Sequence, residues 1–550
     1  MKSGTWILDD TERMLFYGLL ITNLLPLWLI TYFPSQDGPA HLYNARIIGD
    51  WYWSDFNIFR EYLTLNERLD PTWFDHIILA TLMKVFSPNI SEKLFVSVYI
   101  LALPLSIRYA LGVIQPAACF LSVLAFPLLY NTLLHYGFYS FSMSLAVYCF
   151  FIGYWLQHAE TINLRVGAWL VLITLLLFLT HLVTMALAYV SAAIISGTWW
   201  IAELIRQHRA NPVDYRMLGR KTWTLIIKPL LVLLPTAALV LLFFSGRDRL
   251  LSHGPGVYER FQNFMHLDVL DVFRYREWVL STAVAFVFWA LTLWFIVDDW
   301  GRCKLQGPDV LMLVAAALTV SYFLAPDPEV VTKSSAPGGR AIMERLNLFP
   351  YLALLLWLGT REFSAKRKRF VQLAGTSINL AFIVIHSSSY VAINHQIDEY
   401  LSVIRLVEPG TTLLPVNASP RGFAAIGAPL SYKVDPFLHL SNRAGAERPI
   451  LLLENYEADL AYFPVRFRPA HNPYTRLGDI ESAPPKLDLA SYTPITGGHI
   501  DYVLVWLGRK SNTEDPNMQS IYSYLNTHYK RIFISKNGLA ELYQHNARSD

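Results

Sequence analysis

Long apolar runs separated by short polar segments dominate the chain from its N-terminus to about residue 390. A helix needs roughly 20 mostly apolar residues to cross a hydrocarbon core of about 30 Å. By this measure we predict about 11 transmembrane helices. They lie near residues 14–32, 94–113, 117–134, 138–156, 166–183, 185–204, 224–245, 278–297, 309–325, 343–360 and 370–390. Two pairs, the third with the fourth and the fifth with the sixth, form tight hairpins in this prediction.

A shorter helical pattern occurs in the first predicted loop, residues 33–93. The segment "LDPTWFDHIILATLMKVFSP" begins with Asp70 as an N-cap and Pro71 at the first helical position. At about 14 residues this helix is too short to cross the membrane, so we predict that it lies in the interface. The preceding "PAHLYNARIIGDWYW" predicts a second interfacial helix.

The pattern changes after residue 390, where hydrophobicity falls and strand-like segments alternate with helical ones. "TTLLPV", "PILLLE" and "DYVLVWL" read as strands, "NMQSIYSYLNTHYKRI" reads as a helix, and "LAELYQ" closes the tail. The predicted fold class is therefore an α-helical polytopic membrane protein with a small C-terminal α/β domain. We divide the chain into a transmembrane module, residues 1–390, and a domain of residues 391–550.

Composition agrees with a membrane protein, since 54% of the 550 residues are hydrophobic and 16% are charged. A soluble domain usually carries about 25% charged residues. The net charge of +3 is small for this length, so no nucleic acid is predicted as a partner. Two of the three cysteines lie in apolar runs, and we expect neither a disulfide framework nor a thiolate metal cluster.

The basic residues of the short loops predict the orientation in a plasma (inner) membrane. "IRQHRANPVDYRMLGRKTW" and "REFSAKRKRF" are strongly basic, and both fall on the same side as the N-terminus. We therefore expect the N-terminus in the cytosol, with the first loop and the C-terminal domain on the extracytoplasmic side.

Ionisable residues are almost absent from the centres of the predicted spans, where transporters keep theirs. Polar candidates gather at the outer ends of the helices instead, which predicts a polar site at the outer membrane boundary. They are Asp37, His41, Arg46, His135, Tyr136, His181, Arg340, Glu344 and Arg345.

These features together resemble the GT-C class of membrane glycosyltransferases, among them dolichyl-phosphate-mannose mannosyltransferases. The resemblance rests on the first-loop aspartate in "QDGPAHLYNAR", two interfacial helices, about a dozen spans and a soluble tail. "LLYNTLLHYGFYSFSMSLAVYCFFIGYW" and "RAIMERLNLFPYLALLLWLG" also resemble bacterial members. Many members carry two adjacent acids where this chain has Gln36 and Asp37. The resemblance implies transfer of a hexose or pentose from a polyprenyl-phosphate carrier in the cell envelope.

The side-chain chemistry of these polar residues suggests their roles. Asp37 could take the proton of an acceptor hydroxyl, or it could only cap the helix that begins near Pro39. Guanidinium groups match phosphate oxygens with two parallel hydrogen bonds, so Arg46, Arg340 and Arg345 are phosphate candidates. A single displacement would invert the anomeric centre.

The remaining candidates allow more than one reading. His41 could orient Asp37, bind a metal ion or pack, and His135 and His181 could join it as metal ligands. Those two histidines, with Tyr136 and Glu344, otherwise belong to the substrate site, and Glu344 could simply pair with its neighbouring arginine. No cofactor is assigned, and a divalent metal ion is left open. Residues 253–276 could line a groove or form an ordinary solvated loop.

Two other functions stay open at this point. A transporter or lipid-linked sugar flippase would need charged or broken helices at mid-depth. A non-catalytic partner in surface-polysaccharide assembly would not need Asp37. For an enzyme, the partners are a polyprenyl-phosphate-linked sugar donor, membrane lipids, and a lipid, glycan or protein acceptor.

Overall fold

The computed structural model describes most of the chain. The described residues are 10–52, 58–68, 70–209, 214–245, 256–300, 309–325, 341–424, 428–511 and 514–546. Among the candidate site residues, Arg340 lies outside these ranges, as does Cys303.

Helices make up most of this part of the chain. In chain order the α-helices are α1 (Asp10–Trp28), α2 (Gly38–Asp50), α3 (Ile58–Tyr62), α4 (Phe74–Leu82), α5 (Pro88–Ile114), α6 (Thr132–His135), α7 (Tyr139–His158), α8 (Leu164–Thr180), α9 (Leu182–Arg209), α10 (Tyr215–Thr222), α11 (Lys228–Phe244), α12 (Val257–His266), α13 (Trp278–Trp300), α14 (Val310–Leu324), α15 (Ile342–Leu358), α16 (Ala365–Ser402), α17 (Asn442–Glu447), α18 (Tyr456–Asp459), α19 (Leu489–Thr496), α20 (Gly508–Ser511) and α21 (Pro516–His528). A π-helical turn, Trp223–Ile227, joins α10 to α11.

Within the described ranges, six helical stretches are long and apolar enough to cross a membrane, by length and composition. They are Pro88–Ile114, Tyr139–Thr161, Leu182–Arg209, Tyr215–Phe244, Tyr275–Asp298 and Ala365–Leu406. Three shorter apolar helices, Pro116–Leu128, Leu164–Thr180 and Val310–Leu324, lie among them. Each of the predicted spans overlaps a helix of the structure, and the fold is that of a helical polytopic membrane protein.

The third predicted span, residues 117–134, is not an α-helix. Pro116–Leu128 forms a 3-10 helix of 13 residues, followed by the short helix α6. At about 2 Å per residue, a 3-10 helix of this length reaches roughly 26 Å, close to the membrane thickness that a longer α-helix would need. The segment packs against α5 and α16, and Ala118 to Leu128 are all buried.

The described strands belong to a small domain that follows the last long helix, except β1, which lies in the first loop. They are β1 (Leu63–Leu65), β2 (Thr412–Asn417), β3 (Leu451–Leu452), β4 (Val465–Phe467), β5 (Gly478–Asp479), β6 (Lys486–Leu487), β7 (Tyr502–Trp506), β8 (Tyr529–Ile534) and β9 (Ala540–His545). Five of them form one sheet in the order β3-β2-β7-β9-β8, in which β2 is parallel to β3 and β7, and β9 is antiparallel to its neighbours.

Two boundaries of the tail differ from the predicted ones. Helix α16 continues to Ser402, so a division at residue 390 falls inside a helix. Helix α21 ends at His528, and residues 529–532, which the sequence assigned to the helix, belong to strand β8. Pairing with β9 explains this second difference, because sheet hydrogen bonds outweigh a weak local helical pattern.

The C-terminal domain packs on the first loop. Strand β1 of the loop pairs with β4 of the domain, and the Tyr43 hydroxyl donates to the Ile450 carbonyl at 3.0 Å. Arg443 reaches Glu92, at the start of α5, with an N–O distance of 2.7 Å. The first loop, the start of α5 and the domain therefore form one packed unit.

The basic segments lie at the other end of the helices. Tyr109, near the end of α5, donates to Gln157 at 2.8 Å, and nearby Lys221 pairs with Glu160 at 2.9 Å. The 27 residues of α5 extend over about 40 Å, which separates this end from the C-terminal domain. The second basic segment begins at Arg361, two residues after Gly359, which lies against the Leu111 side chain near the same end of α5. Both basic segments are thus remote from the C-terminal domain.

Candidate active site

The backbone around Asp37 is held by the loop that follows the 3-10 helix. The Gln36 and Asp37 amides donate to the carbonyls of His135 and Tyr136 at 2.8 and 3.0 Å. Gly137 has a φ of +88°, and a Cβ there would lie 2.6 Å from the Gly38 nitrogen. Only glycine tolerates this combination of conformation and close approach, so Gly137 fixes the position of the aspartate.

Asp37 occupies the N-cap position of α2, but its side chain makes no capping hydrogen bond. The carboxylate accepts from the Gln36 side chain at 3.1 Å and interacts with the Tyr456 hydroxyl. It is 5% exposed. Capping, the alternative that the sequence left open, is therefore not what this side chain does in the structure.

His439 of the C-terminal domain is the charged partner of Asp37. Its Nε2 lies 3.6 Å from Asp37 Oδ1, its Nδ1 pairs with Glu454, and its ring stacks on Tyr456 with centroids 4.6 Å apart. Burial alone would lower the pKa of His439, but the charge of Glu454 and its hydrogen bond raise it to about 9. Burial raises the pKa of Asp37, while His439 and His41 oppose that rise. The positive charge of His439 therefore favours the ionised form of Asp37 against the effect of burial.

Arg345, in the first turn of α15, adds a second positive charge. Its guanidinium stacks over Phe138 at 4.2 Å, and Asp37 and Tyr456 are among the groups that act on it electrostatically. Its buried Nε donates to no group in the described part of the chain. Glu344 lies beside it and acts electrostatically on Tyr136. This region thus brings Arg345, Glu344 and Tyr136 near Asp37.

His41 is turned away from Asp37 and belongs to a second cluster. Its Nε2 lies 2.9 Å from the Gly137 carbonyl, and its Nδ1 lies 2.8 Å from Glu457 and 3.4 Å from Asp75. His76 completes this group, with Nε2 2.7 Å from Glu457. His41 therefore acts on Asp37 through its charge and through the Gly137 backbone, without a hydrogen bond between the two side chains.

His135 and His181 are separate from His41. His135 is fully buried, with Nε2 2.7 Å from the Tyr390 hydroxyl and Nδ1 2.9 Å from the Asn131 carbonyl. His181 contacts Thr184 and Phe141. Both ring nitrogens of His135 are thus engaged by the protein, and the structure does not bring these two histidines together with His41 as possible metal ligands. Among the described residues, a group of three possible ligands whose atoms all lie within 4.8 Å of one another consists of His41, Asp75 and His76.

Arg46 is engaged in docking the C-terminal domain. It donates to the carbonyls of Ala446 and Glu447 at 3.1 and 3.0 Å and pairs with Asp50 at 3.1 Å. It lies two and a half turns along α2 from Asp37, a distance of about 13 Å along the axis. These contacts place Arg46 at the end of α17 rather than beside Asp37.

Part of the 253–276 segment is helical, since α12 covers Val257–His266. Arg260 is buried and donates to the carbonyls of Tyr322 and Ala325 at 3.2 and 2.7 Å. Arg260 therefore donates hydrogen bonds to carbonyl groups at the end of α14, where α12 covers them. Its side chain neither lines a groove nor faces solvent.

The sequence prediction missed the contribution of the C-terminal domain. His439, Tyr456 and Glu457 interact with residues of the first loop, and Glu454 pairs with His439 within the domain. Glu454, Tyr456 and Glu457 lie in "LLLENYEAD", directly after strand β3. In open α/β sheets, functional groups gather beyond the carboxyl ends of parallel strands. Acids directly after an apolar strand were the one signal that pointed to them.

Comparisons with known proteins identify the fold that contains this site. No protein-family model matches the sequence, and neither does any curated protein. The crystal structure of ArnT from Cupriavidus metallidurans in the apo state is similar, with a TM-score of 0.53, 11% identity and coverage of 96% of this chain and 97% of that one. A cryo-EM structure of the arabinofuranosyltransferase AftD from Mycobacteria gives a TM-score of 0.47 at 12% identity, with 97% of this chain and 40% of that one covered. ArnT is a GT-C glycosyltransferase, and the likeness extends over nearly all of both chains. The chain therefore has the fold of the GT-C class of membrane glycosyltransferases.

Proposed function

We propose that this protein is a membrane glycosyltransferase that uses Asp37 as the general base. It moves a sugar from a polyprenyl-phosphate carrier to an acceptor hydroxyl on the extracytoplasmic side of a plasma (inner) membrane, with inversion at the anomeric carbon. The N-terminus lies in the cytosol, and the module of residues 1–390 works with the C-terminal domain, residues 391–550.

The observation that carries the proposal is that the Asp37 side chain does not cap α2. Asp37 sits at the start of α2 but makes no capping bond, and it is held beside His439 and Tyr456 in a buried site. A carboxylate is costly to bury unless it is paired. The Asp37 carboxylate is nevertheless buried without a capping hydrogen bond from the backbone of α2, which supports a chemical role.

The transfer step follows from these groups. The acceptor oxygen attacks the anomeric carbon, its proton passes to Asp37, and the bond to the carrier phosphate breaks with its electron pair remaining on the phosphate. His439 keeps Asp37 ionised by supplying a neighbouring positive charge. Arg345 binds the carrier phosphate both in the donor and in the transition state, since its Nε has no protein partner among the described residues.

Access to the base requires movement of the side chains that cover it. Asp37 is 5% exposed and His439 is 2% exposed in this structure. An acceptor hydroxyl can reach the carboxylate once His439 and Tyr456 turn aside, and their return would exclude water from the site. We therefore assign the structure to a closed state of the enzyme.

The experiment that tests the function is transfer by the purified full-length protein in proteoliposomes. Polyprenyl-phosphate carrying a radiolabelled hexose or pentose is the donor, and the label is followed into lipid, glycan and protein fractions. An enzyme consumes the donor and releases polyprenyl phosphate. A flippase would move intact donor between the leaflets, and a non-catalytic partner would leave it unchanged, so either result would overturn the proposal.

A further inference from the structure

Four buried side chains form a second polar cluster between the first loop and the C-terminal domain. His41 comes from α2, Asp75 and His76 come from α4, and Glu457 comes from α18. His76 and Glu457 are 0% exposed, and His41 and Asp75 are also buried. We call these four residues the His–acid cluster.

The outer nitrogen of each imidazole faces a backbone carbonyl. His41 Nε2 lies 2.9 Å from the Gly137 oxygen, and His76 Nδ1 lies 2.9 Å from the Thr72 oxygen. A carbonyl only accepts hydrogen bonds, so these outer nitrogens carry the protons. In the neutral tautomers, His41 Nδ1 and His76 Nε2 therefore present lone pairs to the centre of the cluster.

In these tautomers the cluster atoms that face the centre are acceptors, and Asn44 Nδ2 donates to Glu457 Oε2 from outside the cluster at 2.7 Å. His41 Nδ1 is 3.5 Å from His76 Nε2 and 3.4 Å from Asp75 Oδ2, and Glu457 approaches the two imidazoles at 2.8 and 2.7 Å. The Glu457 Oε1 atom is not aligned for a hydrogen bond with any described group. Two imidazole lone pairs and two carboxylates repel one another unless protons or a cation lie between them.

The spacing suits a small divalent transition metal. A tetrahedral zinc ion with bonds of about 2.0–2.1 Å has ligand atoms roughly 3.3–3.4 Å apart. The two imidazole nitrogens and Asp75 Oδ2 already have such separations, at 3.5 and 3.4 Å from His41 Nδ1. Histidines that bind metal usually donate the other ring N–H to a carbonyl or carboxylate, as both do here, and Asp75 Oδ1 is also 3.1 Å from His76 Nδ1.

We propose that His41, His76, Asp75 and Glu457 bind one divalent transition-metal ion of the zinc type. The ion would fasten α2 and α4 of the first loop to α18 of the C-terminal domain, with Glu457 moving outward from its present contacts to become the fourth ligand. Because every ligand is buried, the ion is captured as the domain docks on the loop. The site is separate from the transfer step and does not depend on it.

The test measures metal in the full-length protein, purified in detergent and incubated with ZnSO4 before desalting. We expect about one zinc per chain by mass spectrometry, and a lower Tm after removal of zinc with EDTA that recovers when zinc is returned. The amount of bound zinc per chain should fall by about tenfold or more in His76→Gln and in Glu457→Gln. His439→Gln, which alters a buried histidine of the same interface outside the cluster, should keep it.

Glu457→Gln keeps the side-chain shape, so it serves if His76→Gln does not fold. The Asp37→Asn protein should bind zinc like the wild type, which separates this proposal from the proposed function. Wild-type protein without bound zinc, and with a Tm unchanged by EDTA, would overturn the proposal. The cluster would then be two imidazolium ions paired with two carboxylates.

Discussion

The Nε2 atom of His439 lies 3.6 Å from Oδ1 of Asp37, so the C-terminal domain supplies the charged partner of the first-loop carboxylate. This contact joins residues from opposite ends of the chain. It makes the domain part of the candidate active site, and the ionisation of Asp37 depends on how the domain is docked.

The first prediction concerns pH. Asp37 acts as a base only when ionised, so kcat/KM should rise as the pH exceeds its raised pKa and fall as His439 loses its proton near pH 9. His439→Gln removes the positive charge that favours the carboxylate, which raises the pKa of Asp37 further. The acid side of the pH–rate profile should therefore move to higher pH.

Glu454→Gln provides the reciprocal test. Without the Glu454 charge, burial lowers the pKa of His439, so the alkaline side of the profile should move below pH 9. A merely structural role for His439 would lower the rate at every pH without moving either side of the profile.

The second prediction concerns Gly137. Gly137→Ala places a Cβ 2.6 Å from the Gly38 nitrogen at a φ of +88°. We expect a destabilisation of about 1–3 kcal/mol and a loss of more than about tenfold in transfer, because Asp37 is displaced. Gly197→Ala is the control, since a Cβ there meets nothing within 4 Å. Equal activity of the two variants would show that the Gly137 turn does not position the base.

The third prediction concerns the buried ion pair that anchors the domain. Glu92→Gln leaves Arg443 without its charge partner, which lies 2.7 Å away, and should destabilise the protein by about 3–5 kcal/mol. Replacing both residues with methionine should recover much of this loss. Lys84→Met, which breaks an exposed pair with Asp50, should cost less than about 1 kcal/mol. Thermal unfolding in detergent measures all three variants, and a Glu92→Gln effect as small as that of Lys84→Met would contradict the assignment.

The fourth prediction concerns Arg345. Lysine keeps the charge but neither stacks on Phe138 nor offers two parallel N–H groups to a phosphate. Arg345→Lys should raise KM for the lipid-linked donor by about tenfold, with a smaller effect on kcat. Arg361→Lys is the control, since Arg361 also stacks on an aromatic ring, that of Trp357, but lies at the opposite end of the helices. An unchanged KM in Arg345→Lys would remove Arg345 from the phosphate site.

The sequence predicted those parts of the structure that depend on local composition. Apolar runs located the membrane helices, and a turn between two helices marked Asp37, since neither feature needs knowledge of distant contacts. The sequence did not predict the 3-10 helix Pro116–Leu128, because apolar composition does not distinguish it from an α-helix. The sequence did not predict strand β8, because its pairing with β9 overrides the local helical pattern.

The partners of the candidate residues could not be predicted in the same way. His439 meets Asp37, and Glu457 meets His41, only after the C-terminal domain docks on the first loop. No periodicity within a segment encodes such contacts. The sequence therefore identified Asp37 and His41 as candidates, whereas their contacts with His439 and Glu457 depend on the fold.

The most direct test of the central claim is the single-turnover rate of Asp37→Asn with saturating lipid-linked donor. Asparagine keeps the shape of the side chain but cannot take a proton, so we expect a fall of about 10²–10⁴-fold with little change in Tm. Asp70→Asn is the matched control, because Asp70 is a buried aspartate of the same loop that accepts from Asn66 at 2.8 Å. A loss of rate in Asp37→Asn alone supports the account. Full turnover by a folded Asp37→Asn protein would contradict it.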